Sequence, residues 1–406
     1  MSAMDLDVAV IGGGPSGLAA ATELRRLGVG RVVVLERFGV AGGIPRHCGH
    51  PPFGMREFRR VLTGPAYARR LVGTALAAGV EIRTRCTVTA IRPGGVLELA
   101  TTDGAETLAA KRILLATGNR ETTRAAALVP GLRPVGVMNT AALQSFLYEE
   151  GRSPFSRPVI VGSEMVAYSA VLSCRRHGIR PAAMVESRGR VQGPRFYALA
   201  NRMFGVPLVT GAEIVAIEGK TRVTGLRLRE ASGAERRIDC DGVIFSGRFT
   251  PEAALARASG LALDAGTLGP EIDGAFRSSD PCVFVAGNVL HPVETAGYCW
   301  AEGRRIAGRI AADLAGEAPA AAPVPLTLGP GLRYAVPQRL VAGEGPVTLN
   351  LRAEGAAKGR LVLAEPSGRE LAAASVSAAP EASLRLDVPA LDVLPGQLVV
   401  RLDREG

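Results

Sequence analysis

Three glycines within six residues, Gly12, Gly14 and Gly17, with Pro15 and Ser16 between the last two, make a turn suited to binding phosphate. Gly12 lets the chain turn, Gly14 lacks the Cβ that would hold a pyrophosphate off the backbone, and Gly17 lets the following helix lie close on the preceding strand. The start of that helix offers unpaired N–H groups and partial positive charge to the phosphates. Glu36 ends a second apolar run, Val32 to Leu35. A carboxylate at that position can hold ribose hydroxyls, with Arg37 beside it. These residues predict a dinucleotide site.

A second group could act on a substrate. After Gly42, Gly43 and Ile44, where paired glycines allow backbone to lie against a flat ring, comes a Pro-rich stretch carrying Arg46, His47, Cys48 and His50. Arg46 can grip a carboxylate bidentately. His47 and His50 can serve as bases or structural donors, and Cys48 as a thiolate or simply a packed thiol. Far along the chain, His291 follows Gly287-Asn288, with Glu294 and Tyr298 in the same turn and Trp300 as packing. If a small amine or hydroxy acid is oxidised here, it must lie near residues 44–54 and 288–300.

Regular elements must place these residues. Val8 to Ile11 reads as a buried strand and Leu18 to Leu24 as a helix. A helix is expected from Gly64-Pro65 to Ala78, then short strands over 80–83, 87–91 and 96–100. Arg112 to Leu115 forms a buried strand closed by Ala116-Thr117-Gly118, and Val283 to Ala286 another closed by Gly287. Between them Pro158 to Val161, Gly162-Ser163-Glu164, a helix to His177 and a strand ending at Glu186 repeat the strand, turn, helix, strand order. Gly162 and Glu186 would mark a second nucleotide site, for NAD by the carboxylate at 186. Glu164 opposes this, because it occupies the middle-glycine position. A carboxylate about 5 Å from a phosphate at an effective dielectric of about 20 costs about 3 kcal/mol, or roughly 100-fold in affinity. NAD(H) is therefore doubtful, and the repeat reads as a retained scaffold in which Glu164 turns away from the phosphate position or hydrogen-bonds to the next helix.

With these motifs placed, the chain resembles the two-dinucleotide-domain flavoprotein oxidoreductases, the glutathione-reductase-like superfamily, over roughly residues 5 to 318. A narrower likeness rests on Gly42-Gly43-Ile44, Cys48, Phe53-Gly54, Leu62 to Tyr67, Ala116 to Gly118 with Arg120-Glu121, Pro130-Gly131, Gly136-Val137-Met138 and Gln144. It is similar there to flavoproteins that accompany glycerol-3-phosphate dehydrogenase-like proteins, and to FAD subunits of heteromeric dehydrogenases such as hydrogen cyanide synthase, opine oxidase and proline or hydroxyproline dehydrogenase. The resemblance implies FAD at Gly12 to Gly17, with Thr117, Gly118 and Gly287 also at the cofactor. Where the family has Gly-Asp this chain has Gly287-Asn288, so Asn288 would bond a ribityl hydroxyl without the charge. The helix around Gly303 would aim its start at the flavin pyrimidine edge. The implied fold class is α/β: a split Rossmann-like FAD domain (1–122 and 241–318), an inserted NAD-like Rossmann domain (123–240), a linker (319–325) and a small all-β module (326–406). Implied partners are a small-molecule substrate and an Fe–S or second flavoprotein subunit, or a second copy of the chain.

Composition narrows the field. With 406 residues and 47% apolar content the chain can build several cores. Its net charge of +10 comes from scattered arginines, with lysine only at Lys111, Lys220 and Lys358, which argues against a nucleic-acid surface. No apolar run reaches the ~20 residues that span a bilayer, and the first strand begins too early for a signal peptide, so a cytoplasmic protein is expected. Six cysteines, Cys48, Cys86, Cys174, Cys240, Cys282 and Cys299, contain no CxxC or CxxxxC pair, so no metal site and no disulfide-reducing dithiol is expected. Three readings follow: an FAD-bearing dehydrogenase or electron-transfer subunit, an NADH-dependent flavin reductase, and a degenerate flavoprotein module.

Overall fold

The computed structural model describes residues 6–192, 196–292, 294–317, 321–355, 357–378 and 383–404. They fall into two compact units. One comprises the chain up to Gly43, Arg70–Asn119 and everything from Pro251; the other comprises Ile44–Arg69 and Arg120–Thr250.

The first unit is built around the strand Leu6–Ile11, in which Val8, Ala9 and Val10 are fully buried. It pairs in parallel with Val32–Leu35 on one side and with Gly104–Leu115 on the other. Glu81–Arg83 extends one edge and Val283–Val285 joins the far side of Gly104–Leu115, both in parallel. Such strands read as unbroken apolar runs because helices cover the faces of a parallel sheet. The first half of Gly104–Leu115 pairs antiparallel with Val96–Thr101, and that strand with Thr87–Arg92, forming the expected meander. The helices Pro15–Arg26 and Ala296–Leu314 approach so closely that a Cβ on Gly303 would sit 2.2 Å from the Ser16 carbonyl oxygen. Gly303 is therefore a residue at which the helix packing admits no side chain.

The same unit includes the C-terminal β module. Its strands form two sheets, one containing Val324–Leu328, Ala357–Ala364 and Leu398–Arg404, the other Leu332–Val336, Val347–Ala353 and Ser383–Val388. Alternate residues such as Leu349, Leu351, Leu361, Leu363, Leu386 and Val400 meet in one core. The module is seated on the rest of its unit. Gln338 Oε1 accepts from the Ile272 N–H at 3.0 Å, Tyr298 OH donates to Asn350 Oδ1 at 3.0 Å, and Gly266 lies so close to Arg333 that a Cβ would be 2.3 Å from its carbonyl oxygen. Residues 318–320, part of the stretch read as a linker, lie outside the described residues.

The second unit has five parallel strands in the order Leu208–Thr210, Ala183–Glu186, Pro158–Val161, Gly242–Phe245, Val137–Asn139. An antiparallel sheet of Glu213–Glu218, Gly225–Arg229 and Glu235–Asp239 adjoins it in sequence. Two boundaries differ from the sequence reading. The inserted unit does not end at 240, because Gly242–Phe245 pairs on both sides within this sheet and buries Val243 and Ile244 completely. It also takes in Ile44–Arg69, where Gly49 abuts the Tyr148 ring at a distance no Cβ would allow.

Replacing Gly303 with Val forces a branched side chain onto backbone that cannot retreat. We expect a loss of roughly 2–3 kcal/mol in urea unfolding; a change below about 0.5 kcal/mol would contradict the helix contact.

Candidate cofactor site

At the first glycine turn the backbone leaves no room for side chains except where a ligand would need access. Gly12 has φ +111° and a Cβ there would lie 2.4 Å from the Ala116 carbonyl oxygen; one on Gly17 would lie 2.1 Å from the Gly12 carbonyl oxygen. By contrast a Cβ on Gly14 would meet nothing nearer than the Gly43 Cα at 3.9 Å. Pro15 opens the helix. Glu36 is buried, with Oε2 accepting from the Gly13 N–H and Oε1 from the Phe38 N–H, both at 2.9 Å. The following loop is held against the turn: the Gly42 N–H donates to the Gly13 carbonyl at 2.7 Å, and Gly43 packs on Gly14 and Pro15. Ser16 Oγ is buried and has no partner among the described residues. An open middle glycine, an orphaned hydroxyl at the helix start and a fixed carboxylate with spare lone pairs suit the pyrophosphate and ribose of a dinucleotide.

Other expected cofactor residues have local partners. Thr117 Oγ1 donates to the Glu252 carbonyl at 2.8 Å, and the Gly118 carbonyl accepts from the Glu252 N–H at 2.9 Å, sealing the end of the central strand. Arg37 is exposed and stacks its guanidinium over the Phe38 ring at 5.0 Å. Ile44 is exposed. Asn288 clamps its own loop, Nδ2 donating to the Glu294 carbonyl at 3.1 Å and Oδ1 accepting from the Glu294 N–H at 2.7 Å. A second N–H and a second lone pair remain for the expected ribityl bond.

Gly287, with φ +83°, gives its N–H to Glu302 Oε2 at 2.6 Å, while Glu302 Oε1 lies 2.9 Å from His291 Nε2. Burial pushes Glu302 up to about 7 and His291 down to about 3, with nearby Arg352, Arg305 and Arg385 adding to the fall of the histidine. His291 is 1% exposed and stands edge-on to Tyr298 at 5.6 Å. It is enclosed by protein and paired with Glu302, whereas its expected catalytic place would need it to face a substrate. Sequence reasoning misses Glu302 itself. Its signal is an acid inside the buried stripe Cys299, Glu302, Gly303, Ile306, Ala307, Ile310 of an amphipathic helix.

In the second unit the segment after Ile44 is pinned. Cys48 Sγ donates toward Gln144 Oε1 and the Ile44 carbonyl, both at 3.4 Å. Burial, with Glu121 adding, pushes its thiol up to about 12, so the protonated form holds at neutral pH and a thiolate role is not supported. Arg46 Nε pairs with Glu149 at 3.2 Å, so its charge is already met. His47 is buried with neither ring nitrogen bonded among the described residues, and burial lowers its pKa. His50 has Nδ1 3.0 Å from the Pro51 carbonyl oxygen and its ring 5.6 Å from that of Phe53.

The second glycine turn repeats the first in backbone and departs in content. Gly162 has φ +116°, and Glu186 is buried, accepting from Ser163 Oγ at 2.5 Å, Gln192 Nε2 at 2.8 Å and the Arg188 N–H at 2.9 Å. Glu164 starts the helix Met165–Arg176 and folds its side chain back, where Oε1 accepts from Ser246 Oγ. The buried Glu121 stands close by, accepting from the Ala141 N–H at 2.8 Å and the Gly247 N–H at 3.4 Å, and burial pushes it up to about 7. Among the described residues no group of three or more His, Cys, Asp or Glu could hold a metal, and no helix is long and apolar enough to cross a membrane.

Two outcomes test these environments. A Glu121 carboxyl raised above its unfolded value holds its proton more tightly when folded, so wild-type stability falls relative to Glu121→Gln as pH rises from about 4.5 to 7. The difference should approach about 3 kcal/mol in urea unfolding, and a flat difference would refute the shift. Cys48 in the native protein should resist iodoacetamide at pH 8 and react at the rate of a free thiol only after unfolding, as read by peptide mass spectrometry.

Comparison with known proteins agrees with this geometry. The family described as pyridine nucleotide-disulphide oxidoreductase matches residues 6–303. The chain is 26% identical over 342 residues to one of the opine oxidase subunits of Agrobacterium tumefaciens (strain Ach5), covering 75% of this chain and 64% of that protein. It thus spans just under two thirds of that relative. It is 28% identical over 296 residues to thioredoxin reductase of Mycolicibacterium smegmatis, covering 70% of this chain and 88% of the relative. Among solved structures, thioredoxin reductase of T. acidophilum shares the fold with TM-score 0.64 at 23% identity, covering 76% of this chain and 98% of that one.

Proposed function

For a chain that belongs to the pyridine nucleotide-disulphide oxidoreductase family, whose cofactor is FAD, we propose work as the flavoprotein dehydrogenase or electron-transfer subunit of a heteromeric assembly oxidising a small amino- or hydroxy-acid-type substrate. The observation that carries this reading is the first glycine turn, open at Gly14 and lined by Ser16 Oγ and Glu36, in a chain without a paired dithiol. A thioredoxin reductase is among the relatives, yet no two of these cysteines stand in CxxC spacing and Cys48 is a protonated, buried thiol. Disulfide reduction is for that reason not the activity we assign. The opine oxidase relative is by its name one subunit of an oxidase, which supports a partner chain, either an Fe–S or a second flavin protein.

FAD, when bound, supplies the two-electron acceptor. The turn at Gly12 to Gly17 would hold its pyrophosphate and Glu36 its ribose, with Gly42 and Gly43 bringing backbone to the same turn. Glu302, fixed by His291 and the Gly287 N–H, holds the Gly287 turn in place, and the Thr295-capped start of the last helix directs N–H groups out of it. Of the four candidate catalytic residues, His50 is left as a proton acceptor and Arg46 as a carboxylate ligand that would first have to leave Glu149.

The purified protein should be yellow, or become so with added FAD, and Glu36→Ala should retain at least tenfold less FAD after gel filtration. Under anaerobic conditions a small amino or hydroxy acid should bleach the flavin, whereas bleaching only by NADH would favour the flavin-reductase reading. A colourless protein that takes up no FAD would refute the assignment.

A further inference from the structure

We infer that Glu164 is the specificity-determining residue that closes the second glycine turn to dinucleotides, by filling with its own carboxyl group the crevice where a pyrophosphate would lie. In an open parallel sheet ligands bind beyond the carboxyl ends of the strands, where the strand order switches direction. In this unit the switch lies between Pro158–Val161 and Gly242–Phe245, which are neighbours in the sheet. The Glu164 side chain bridges those two strand ends. It leaves the chain just after the first and bonds Ser246, the residue just after the second.

The fit is built into both walls. A Cβ on Gly162 would lie 2.8 Å from Glu164 Oε2, and one on Gly247 would lie 2.6 Å from Glu164 Cδ. The carboxyl group occupies a slot that exists because both flanking residues are glycine. At the corresponding place in the first turn Gly14 leaves open space, with its nearest neighbour 3.9 Å from a notional Cβ. A second acid, Glu121, stands close to the same crevice, so expelling Glu164 would leave a pyrophosphate between two acids. The remainder of a nucleotide site persists. Glu186 is held by Ser163, Arg188 and Gln192 much as Glu36 is held by Gly13 and Phe38. At the pyrophosphate position it is the Glu164 side chain that separates the two turns, and the chain binds one dinucleotide rather than two.

Titration of the FAD-loaded full chain with NAD+ by isothermal calorimetry tests this. Wild type should show no heat of binding up to millimolar NAD+. Glu164→Gly should bind at least tenfold more tightly, and Glu164→Gln, which keeps the bulk and removes the charge, should recover little of that gain. Glu164→Ala repeats the test should the glycine weaken the helix start, with melting temperature and flavin content confirming the fold. Micromolar binding by wild type overturns the inference, as does a well-folded Gly or Ala variant that gains less than threefold. The inference rests on the flavoprotein reading only for its meaning. The calorimetry reads the second turn whether or not flavin is present, so a colourless protein would sink that reading and leave this one to its own result.

Discussion

Three backbone contacts too short for any side chain fix the cofactor turn: Gly12 on the Ala116 carbonyl, Gly17 on that of Gly12, and Gly303 on that of Ser16. They lock the turn to the neighbouring strand, to its own strand and to the last helix of the unit. Because Gly303 sets the helix so close, the adjacent Glu302 is carried into the interior beneath Gly287. There its charge would be costly without the Gly287 N–H and the His291 ring. The polar groups at this site thus follow from a steric constraint that comes first.

The two glycine turns make an internal comparison on one scaffold. Their first glycines share the same unusual φ, and both carry a buried acid at the end of the second strand. In one, backbone N–H groups from Gly13 and Phe38 hold the acid; in the other, side chains of Ser163 and Gln192 do much of the work. Side chains have filled the second turn with its own hydrogen bonds. A site that satisfies itself in this way has less to offer a ligand, since binding must first break what is already made.

Much of this is legible in the residues. The turn at Gly12 to Gly17, Glu36 and the strands on either side follow from spacing alone, because each depends on contacts within one strand, turn and helix. The clash at Glu164 is legible as well, though not that its carboxyl turns back to Ser246, a partner far along the chain. Other differences between pattern and fold share that cause. Asp241-Gly242-Val243-Ile244-Phe245 has the same apolar pattern whichever sheet it joins, so a boundary at 240 looks natural and is wrong. Gly303 and His291 invite a chemical role because polar or flexible residues near a glycine turn suggest a ligand. Their burial depends on a helix crossing and on an acid that local pattern does not reveal.

The sheet of the first unit has a bearing on how the chain is made. Its central strand, Leu6–Ile11, is synthesised ahead of the rest of its sheet, and Val283–Val285 and the helix Ala296–Leu314 come almost three hundred residues later. Every residue of the other unit has been synthesised by Thr250. The inserted unit can therefore complete its core before the helix that closes the Gly12 to Gly17 turn has been made. For a nascent chain this interval is a period of exposure to aggregation, and FAD meets a finished turn only after the helix Ala296–Leu314 has been made.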